Sequence, residues 1–375
     1  MAKARRVETT SPGGIPADPF GSHRSLEPAG SLPQAAERLD NDFSRLFTGE
    51  LLVAVETLNI DAASFRQMDE APLGADGRGS APIDPVVVRV TETIRTRGKQ
   101  HNRVTGSGGM LLGRVLELAP GRTGDTAREG DRIATLVSLS LTPLRVDRVT
   151  AVRRTSAQLD VEGEAVLFAS GAYAKLPLDL PERLALAVLD VAGAAPQVGR
   201  LVRRAVGAAE GTGGVSILVL GAGGKSGVLS VAEARRTGGA GVRILGVESH
   251  PAYAEELREL GLCDEVVEAD ARDPVAVRQA VLAANEGREV DLSLSCVNVA
   301  AAEMSAILPV REGGTAYFFA MGTSFTRAAL GAEGVSKDID LMMGNGFARG
   351  HAEHSLEMMR TMPRVRALFE RRYAG

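Results

Sequence analysis

At 375 residues, with 44% hydrophobic and 24% charged side chains, the chain is long enough for two or three packed domains and has the composition of a soluble globular protein. A net charge of −4 gives no reason to expect a nucleic-acid or membrane surface, and no run approaches the roughly 18 apolar residues of a membrane span. Two cysteines, Cys263 and Cys296, cannot build a disulfide framework; this usage fits a reducing compartment, and with no secretory signal after Lys3, Arg5 and Arg6 a cytoplasmic location is expected.

Residues 1–17, rich in Thr, Ser, Pro and Gly, read as a mobile tail. Over 18–180, short apolar runs are split by Gly, Pro and Asp. Leu51–Val55, Val86–Val90, Leu111–Leu118 and Arg132–Val137 read as strands of a mainly β unit of small-barrel type. From 181 to 330 the texture changes. Two Ala-rich helices, Arg183–Val191 and Gln197–Ala209, precede a βαβ rhythm: strand Val215–Leu220, helix Gly227–Arg236, strand Val242–Val247, helix Pro251–Leu260, strand Glu265–Val267, helix Val275–Ala284, then strands Val290–Val297 and Thr315–Phe319. Such alternation predicts a parallel sheet covered on both faces, giving an α/β fold overall. Residues 331–375 read as mostly helical, interrupted by Met342–Gly346.

The segment that speaks most directly to function is the turn Gly221-Ala-Gly223-Gly224-Lys225-Ser226-Gly227. It follows a predicted strand and opens a predicted helix inside a βαβ unit, the context a Rossmann dinucleotide fingerprint requires. Gly221 permits the tight turn, Gly223 admits the pyrophosphate, and Ser226 or Gly227 lets helix and strand pack closely. Two registers fit, Gly221-x-Gly223-x-x-Ser226 and Gly221-x-x-Gly224-x-x-Gly227. Glu248, 21 residues after Gly227, stands where an acid accepts the adenosine ribose hydroxyls. No arginine adjoins it in sequence to receive a 2′-phosphate, so NAD is favoured over NADP. A P-loop is excluded because Val219 occupies the place of its first glycine.

A zinc site of alcohol-dehydrogenase type cannot be assembled from two cysteines this far apart, and no metal site is expected; His351 and His354 read as a solvated helical face. Cys296 reads as a small buried residue beside the cofactor rather than a nucleophile. In the N-terminal half, Glu56, Asn59 and Asp61 follow a strand, and His101 and Arg103 open a polar, Gly-rich run before another. Polar groups at strand ends can face a crevice; loop solvation explains them equally. His23, Arg24 and Lys175 have weaker claims.

The order of a β-rich unit with a Gly130-Asp131 turn, a Rossmann unit and a helical tail resembles the medium-chain dehydrogenase/reductase superfamily. Within it, the segments Gly21–Gln34, His101–Gly113, Tyr173–Pro177, Leu186–Gly193, Gly221–Gly227 and Gly322–Val335 resemble the L-erythro-3,5-diaminohexanoate dehydrogenase family. The resemblance implies a GroES-like catalytic domain over 18–180, a Rossmann domain over 181–330 and a segment 331–375 returning to the catalytic domain. It implies zinc-independent oxidative deamination at C3 of 3,5-diaminohexanoate, giving 5-amino-3-oxohexanoate, ammonia and NADH in lysine breakdown. By analogy Asn59, Asn298 and the Gly322-Thr323-Ser324 turn lie near the nicotinamide, and a homo-oligomer, dimer or tetramer, is expected. A substrate with two ammonium groups and one carboxylate calls for charged partners: Glu56 or Asp61 to hold ammonium or act as base, Arg103 to clamp the carboxylate, and His101 to relay protons. Two further readings fit the same fold: a zinc-independent quinone or enoyl reductase, and a non-catalytic NAD-binding sensor.

Overall fold

The computed structural model describes residues 5–60, 62–70, 84–102, 106, 108–122, 126–209, 214–320 and 322–374. They fall into two compact units, Met1–Leu176 and Pro177–Gly375.

In the first unit, four short strands come first: β1 (Arg6–Glu8), β2 (Ser25–Glu27), β3 (Arg38–Leu39) and β4 (Arg45–Phe47). The main sheet is built from β5 (Leu51–Asn59), β6 (Met110–Leu118), β7 (Arg132–Thr135), β8 (Leu144–Arg153), β9 (Gln158–Leu167) and β10 (Tyr173–Lys175). It has the antiparallel order β10-β7-β6-β5-β9-β8. Central β5 is buried at Leu51, Val53, Val55 and Leu58. Outermost β8 is largely exposed and carries Arg145, Arg148 and Arg153, which pair with Glu164, Glu162 and Asp160 of β9. Charge on an edge strand discourages further strand pairing.

The expected strand Val86–Val90 is instead the start of helix α2 (Pro85–Arg97), which follows α1 (Ala62–Glu70). The β-branched run is outweighed by helix signals on both sides. Asp84 caps the N-terminus by accepting the Val86 N–H, Pro85 takes the first turn, and Gly98 ends the helix at φ 65°. Val86, Val90 and Ile94, spaced by four, form one buried face. Residues 5–17 are tied down rather than a loose tail. β1 pairs in parallel with β4, and Arg5 reaches Glu164 at 2.6 Å and the Phe43 carbonyl at 2.7 Å.

Arg24 is fully buried against Glu50. Its Nε and Nη2 donate to Glu50 Oε1 and Oε2 at 2.7 and 2.8 Å. The His23 ring lies 3.0 Å from Oε1, and the Phe47 N–H donates to Oε2 at 2.8 Å. The guanidinium stacks on Phe47 and Phe43 and donates to the carbonyls of Asp42 and Arg45. Lys99, also buried, donates to the Pro33 and Ala36 carbonyls at 2.9 and 2.6 Å. Burial pushes its ammonium down to about 8, helped by the charge of Arg97 and opposed by Glu37.

The second unit opens with α3 (Glu182–Leu189) and α4 (Ala194–Ala208). The Rossmann alternation then runs β11 (Val215–Leu220), α5 (Lys225–Gly238), β12 (Val242–Glu248), α6 (Pro251–Leu260), β13 (Glu265–Glu268), α7 (Pro274–Ala284), β14 (Val290–Ser295), α8 (Glu303–Ile307), β15 (Val310–Phe318), α9 (Phe325–Gly334) and β16 (Asp340–Met343). The sheet is wholly parallel with order β13-β12-β11-β14-β15-β16. β16 falls inside the segment expected to be mostly helical. The closing helices α10 (His351–Thr361) and α11 (Pro363–Phe369) pack on α3, α4, α5 and α6 of the same unit. Among the described residues no single helix is long and apolar enough to cross a membrane.

Burial alone would push the Glu50 carboxyl up; the hydrogen bonds from Arg24 and His23 outweigh it and hold it below its ordinary value. Its contribution to stability is therefore complete above its unfolded pKa of about 4.3 and is lost as pH falls through the lower folded value. Glu50→Gln should flatten that acid limb in urea titrations at successive pH values. Arg24→Ala, which strands a buried carboxylate, should cost about 3–5 kcal/mol at neutral pH by the same measurement.

Candidate functional site

At the end of β11 the chain turns at Gly221, with φ 74°. The N–H groups of Gly221 and Ala222 donate to the Val247 carbonyl at 2.8 and 3.1 Å, tying the turn to the end of β12. The Gly223 N–H donates to Glu248 Oε2 at 3.0 Å. The other oxygen of Glu248 accepts from the Ser249 and His250 N–H groups at 2.9 and 3.0 Å. Glu248 is thus aimed by three backbone donors, and its Oε2 retains a lone pair for a ligand hydroxyl. α5 begins without a side-chain cap, so its first-turn N–H groups have no partner within the helix.

Space decides which glycines the turn requires. A Cβ on Gly221 would stand 2.8 Å from Val297 Cγ2, and one on Gly223 would stand 2.7 Å from both Glu248 Oε2 and Tyr253 Cβ. A Cβ on Gly227 would stand 2.1 Å from the Gly221 carbonyl oxygen, whereas Gly224 meets nothing closer than 3.6 Å. The close-packing position is therefore Gly227, not Ser226, and the working set Gly221, Gly223 and Gly227 combines parts of both sequence registers.

A 730 Å³ cleft opens at the carboxyl ends of the strands, lined in part by Gly221, Gly224, Glu248, Tyr253, Cys296 and Val297. β11 lies between β12 and β14, where the strand order reverses, the place at which such sheets bind nucleotides. Its dimensions, its glycine floor and the open helix N-terminus fit a dinucleotide. Lys225, expected at the phosphates, directs its ammonium to Asp190 at 2.9 Å and over the Tyr373 ring, so its share of a phosphate site is its backbone N–H. On the same edge of the sheet, Asn298 Oδ1 accepts the Gly322 N–H at 2.9 Å. Ser324 caps α9 through its Oγ and donates its own N–H to Glu303. The loops carrying Asn298 and Gly322-Thr323-Ser324 are thereby held together. Cys296 lies 3.6 Å from Ser230 Oγ, and burial pushes its thiol up, away from the thiolate a nucleophile needs.

Tyr253 and Arg372 were missed by the sequence reading. Tyr253 lines the cleft, and Arg372 reaches the Gly223 carbonyl. An arginine thus reaches the Gly223 carbonyl from a point in the sequence where no spacing rule would seek it.

In the first unit, Glu56 lies on β5 with Oε2 held by Arg132 Nε and Nη2 at 2.9 and 2.7 Å, and Arg114 at 3.6 Å from Oε1. Asn59 ends β5 and accepts from Gln158 Nε2 at 3.1 Å. Gly109 lies against the Asn59 backbone, where a Cβ would stand 2.1 Å from its carbonyl oxygen, so the run that begins at His101 returns to the end of β5. Arg97 Nη1 lies 3.0 Å from His101 Nδ1. A guanidinium only donates, so it places the neutral ring's proton on Nε2. Asp61 and Arg103 lie outside the described residues. His23 and Arg24 belong to the buried ion pair with Glu50. His351, expected on a solvated face, is buried edge-on to Phe347, and His354 bonds Glu233 at 3.1 Å. Among the described residues no three His, Cys, Asp or Glu side chains converge to hold a metal ion.

Two proteins resemble the chain along nearly its whole length. The L-erythro-3,5-diaminohexanoate dehydrogenase of Acetoanaerobium sticklandii is 46% identical over 94% of this chain and 98% of its own. That of Fusobacterium nucleatum is 45% identical over the same shares. The chain belongs to the L-erythro-3,5-diaminohexanoate dehydrogenase family. The family's N-terminal domain model matches residues 23–177, which but for Pro177 lie in the first unit. Among solved structures, a mycobacterial protein in complex with NADPH superposes with TM-score 0.50 at 16% identity, over 86% of this chain and 89% of that one, a likeness of fold. Family membership selects the amine dehydrogenases over the quinone and enoyl reductases and makes the chain an oxidoreductase.

The geometry predicts that Gly227→Ala, by forcing apart α5 and the Gly221 carbonyl, strains the turn by about 1–3 kcal/mol and weakens binding of a nicotinamide dinucleotide, while Gly224→Ala is nearly neutral. Fluorescence titration with NADH, alongside circular dichroism to check the fold, measures both.

Proposed function

We propose that this chain catalyses NAD-dependent oxidative deamination of L-erythro-3,5-diaminohexanoate to 5-amino-3-oxohexanoate and ammonia. The observation that carries the substrate reading is the near full-length identity to two dehydrogenases of that name. NAD rather than NADP is supported by Glu248, whose carboxylate suits ribose hydroxyls and repels a 2′-phosphate. Held at the Gly221–Gly227 turn and Glu248, a nicotinamide dinucleotide would supply the acceptor for the C3 hydride.

The chain's own groups must take a proton from the C3 ammonium, hold the second ammonium and the carboxylate, and admit water for hydrolysis. In this reading Asp61 removes the proton, Arg103 grips the carboxylate in a bidentate fork, and His101 relays protons through its Nε2 face. Asn59, at the end of β5, orients the reacting end. The Glu56 carboxylate is taken up by Arg132 and Arg114, so Asp61 is preferred to it as the base. With two cysteines in the chain, the reading is zinc-independent.

Purified enzyme mixed with 3,5-diaminohexanoate should form NADH with NAD, much less NADPH with NADP, and should keep its rate under a zinc chelator. Asp61→Asn should lower kcat by about 10²–10⁴, the usual worth of a general base, and Glu56→Gln far less. A well-folded sample that binds NADH but turns over no diamino acid would overturn the substrate reading.

A further inference from the structure

Gly223 of the dinucleotide turn is held at both of its backbone polar groups. Its N–H goes to Glu248, and its carbonyl accepts from Arg372 Nη1. Arg372 lies in the last turn of the described chain, Glu370–Ala374, and its side chain is only 8% exposed. Its guanidinium is built in on three sides. Nε donates to Glu256 Oε2 at 2.7 Å, Nη2 bonds the same carboxylate, and Cζ stands 4.0 Å from the centroid of the Tyr253 ring. Tyr253 lines the cofactor cleft, and its Cβ already limits the space at Gly223.

We propose that Arg372 is a positioning residue for the cofactor: it fixes the Gly223 peptide and the Tyr253 ring together, so that the turn is preformed before a dinucleotide enters. The neighbouring Tyr373 extends the clamp, since its ring lies 5.3 Å from the Lys225 ammonium at the start of α5. Arg371 adds a second guanidinium on Glu256 at 2.8 Å. Burial would push the Glu256 carboxyl up, but the bonds from Arg372 and Arg371 outweigh it and keep it ionised. The peptide that carries the Gly223 carbonyl also commits its N–H, that of Gly224, to the Gly221 carbonyl at 3.2 Å, so with Arg372 in place it cannot rotate that carbonyl toward incoming phosphates. Without Arg372 that ordering would have to be supplied on binding, which weakens affinity without altering the chemical step.

The inference rests on a nicotinamide dinucleotide being the ligand, and not on the identity of the amine. It is tested on the full chain by NADH titration, steady-state kinetics in NAD and thermal unfolding. Arg372→Ala should raise the Kd for NADH and the KM for NAD about tenfold, with kcat nearly unchanged. Arg372→Lys should recover part of the affinity, because an ammonium can still reach the carbonyl without the fork or the stacking. Glu256→Gln, which loosens the guanidinium, should shift Kd the same way by less. Unchanged Kd and KM in Arg372→Ala overturn the proposal. So does a fall in kcat equal to the loss of affinity, with a large drop in unfolding temperature that Lys does not recover. Should wild type bind NADH yet oxidise no 3,5-diaminohexanoate, the substrate reading fails while the Kd comparison still decides the role of Arg372.

Discussion

The carbonyl of Gly221 lies so close to the first turn of α5 that no side chain fits at Gly227, and the geometry of the parallel sheet's carboxyl edge follows from that contact. It sets the helix directly beyond the strand and leaves its uncapped N–H groups open at the mouth of the cleft. It also brings Gly223 under Glu248, so that the carboxylate is aimed by backbone donors instead of by side-chain packing. A negative charge beside a helix N-terminus would ordinarily compete with phosphates for the dipole. Here the Gly223, Ser249 and His250 N–H groups occupy it and hold it at the end of β12, leaving the helix end to the ligand.

The first unit handles charge differently. Its sequence is rich in polar residues at places that look like site loops, yet several are drawn inward. Arg24 and Glu50 are fully buried and satisfy one another in a two-pronged pair, with His23 and the Phe47 N–H taking the remaining valences. Lys99 spends its ammonium on two carbonyls of the 33–36 loop. Such networks hold irregular segments that no regular sheet could order, because each buried donor specifies one acceptor. The polar run that comes back to the end of β5 does so through Gly109, again by a backbone approach that excludes a side chain.

Where the sequence reading failed, a local competitor or a distant partner was responsible. Val86–Val90 has strand composition, but Asp84, Pro85 and Gly98 bracket it as a helix, and its valines serve as a helical face. β16 is four residues long and ends at Met343, too short to show an alternation against the helices around it. The glycine register was undecidable from spacing, since both frames place a small residue at every required point. Only the distances at Gly224 and Gly227 separate them. Tyr253 and Arg372 carry no spacing signal because one belongs to a surface helix and the other lies well over a hundred residues from the turn it holds.

By itself, the sequence determined the α/β class, the places of the Rossmann strands β11 to β15 along the chain, the glycine turn and the acid at the end of β12. These are set by short-range rules: apolar runs of strand length, helix periodicity, and glycines where a backbone must pass close to another. The family resemblance was legible for the same reason, being carried by contiguous segments. Tertiary structure alone decided that Gly227 is the contact glycine, that Lys225 turns its charge to Asp190, that Glu56 is held by Arg132, and that His23 and Arg24 are structural. Each of those outcomes depends on what a side chain meets across the fold. The energy of a charged or excluded group is set by the atoms around it, not by its neighbours along the chain.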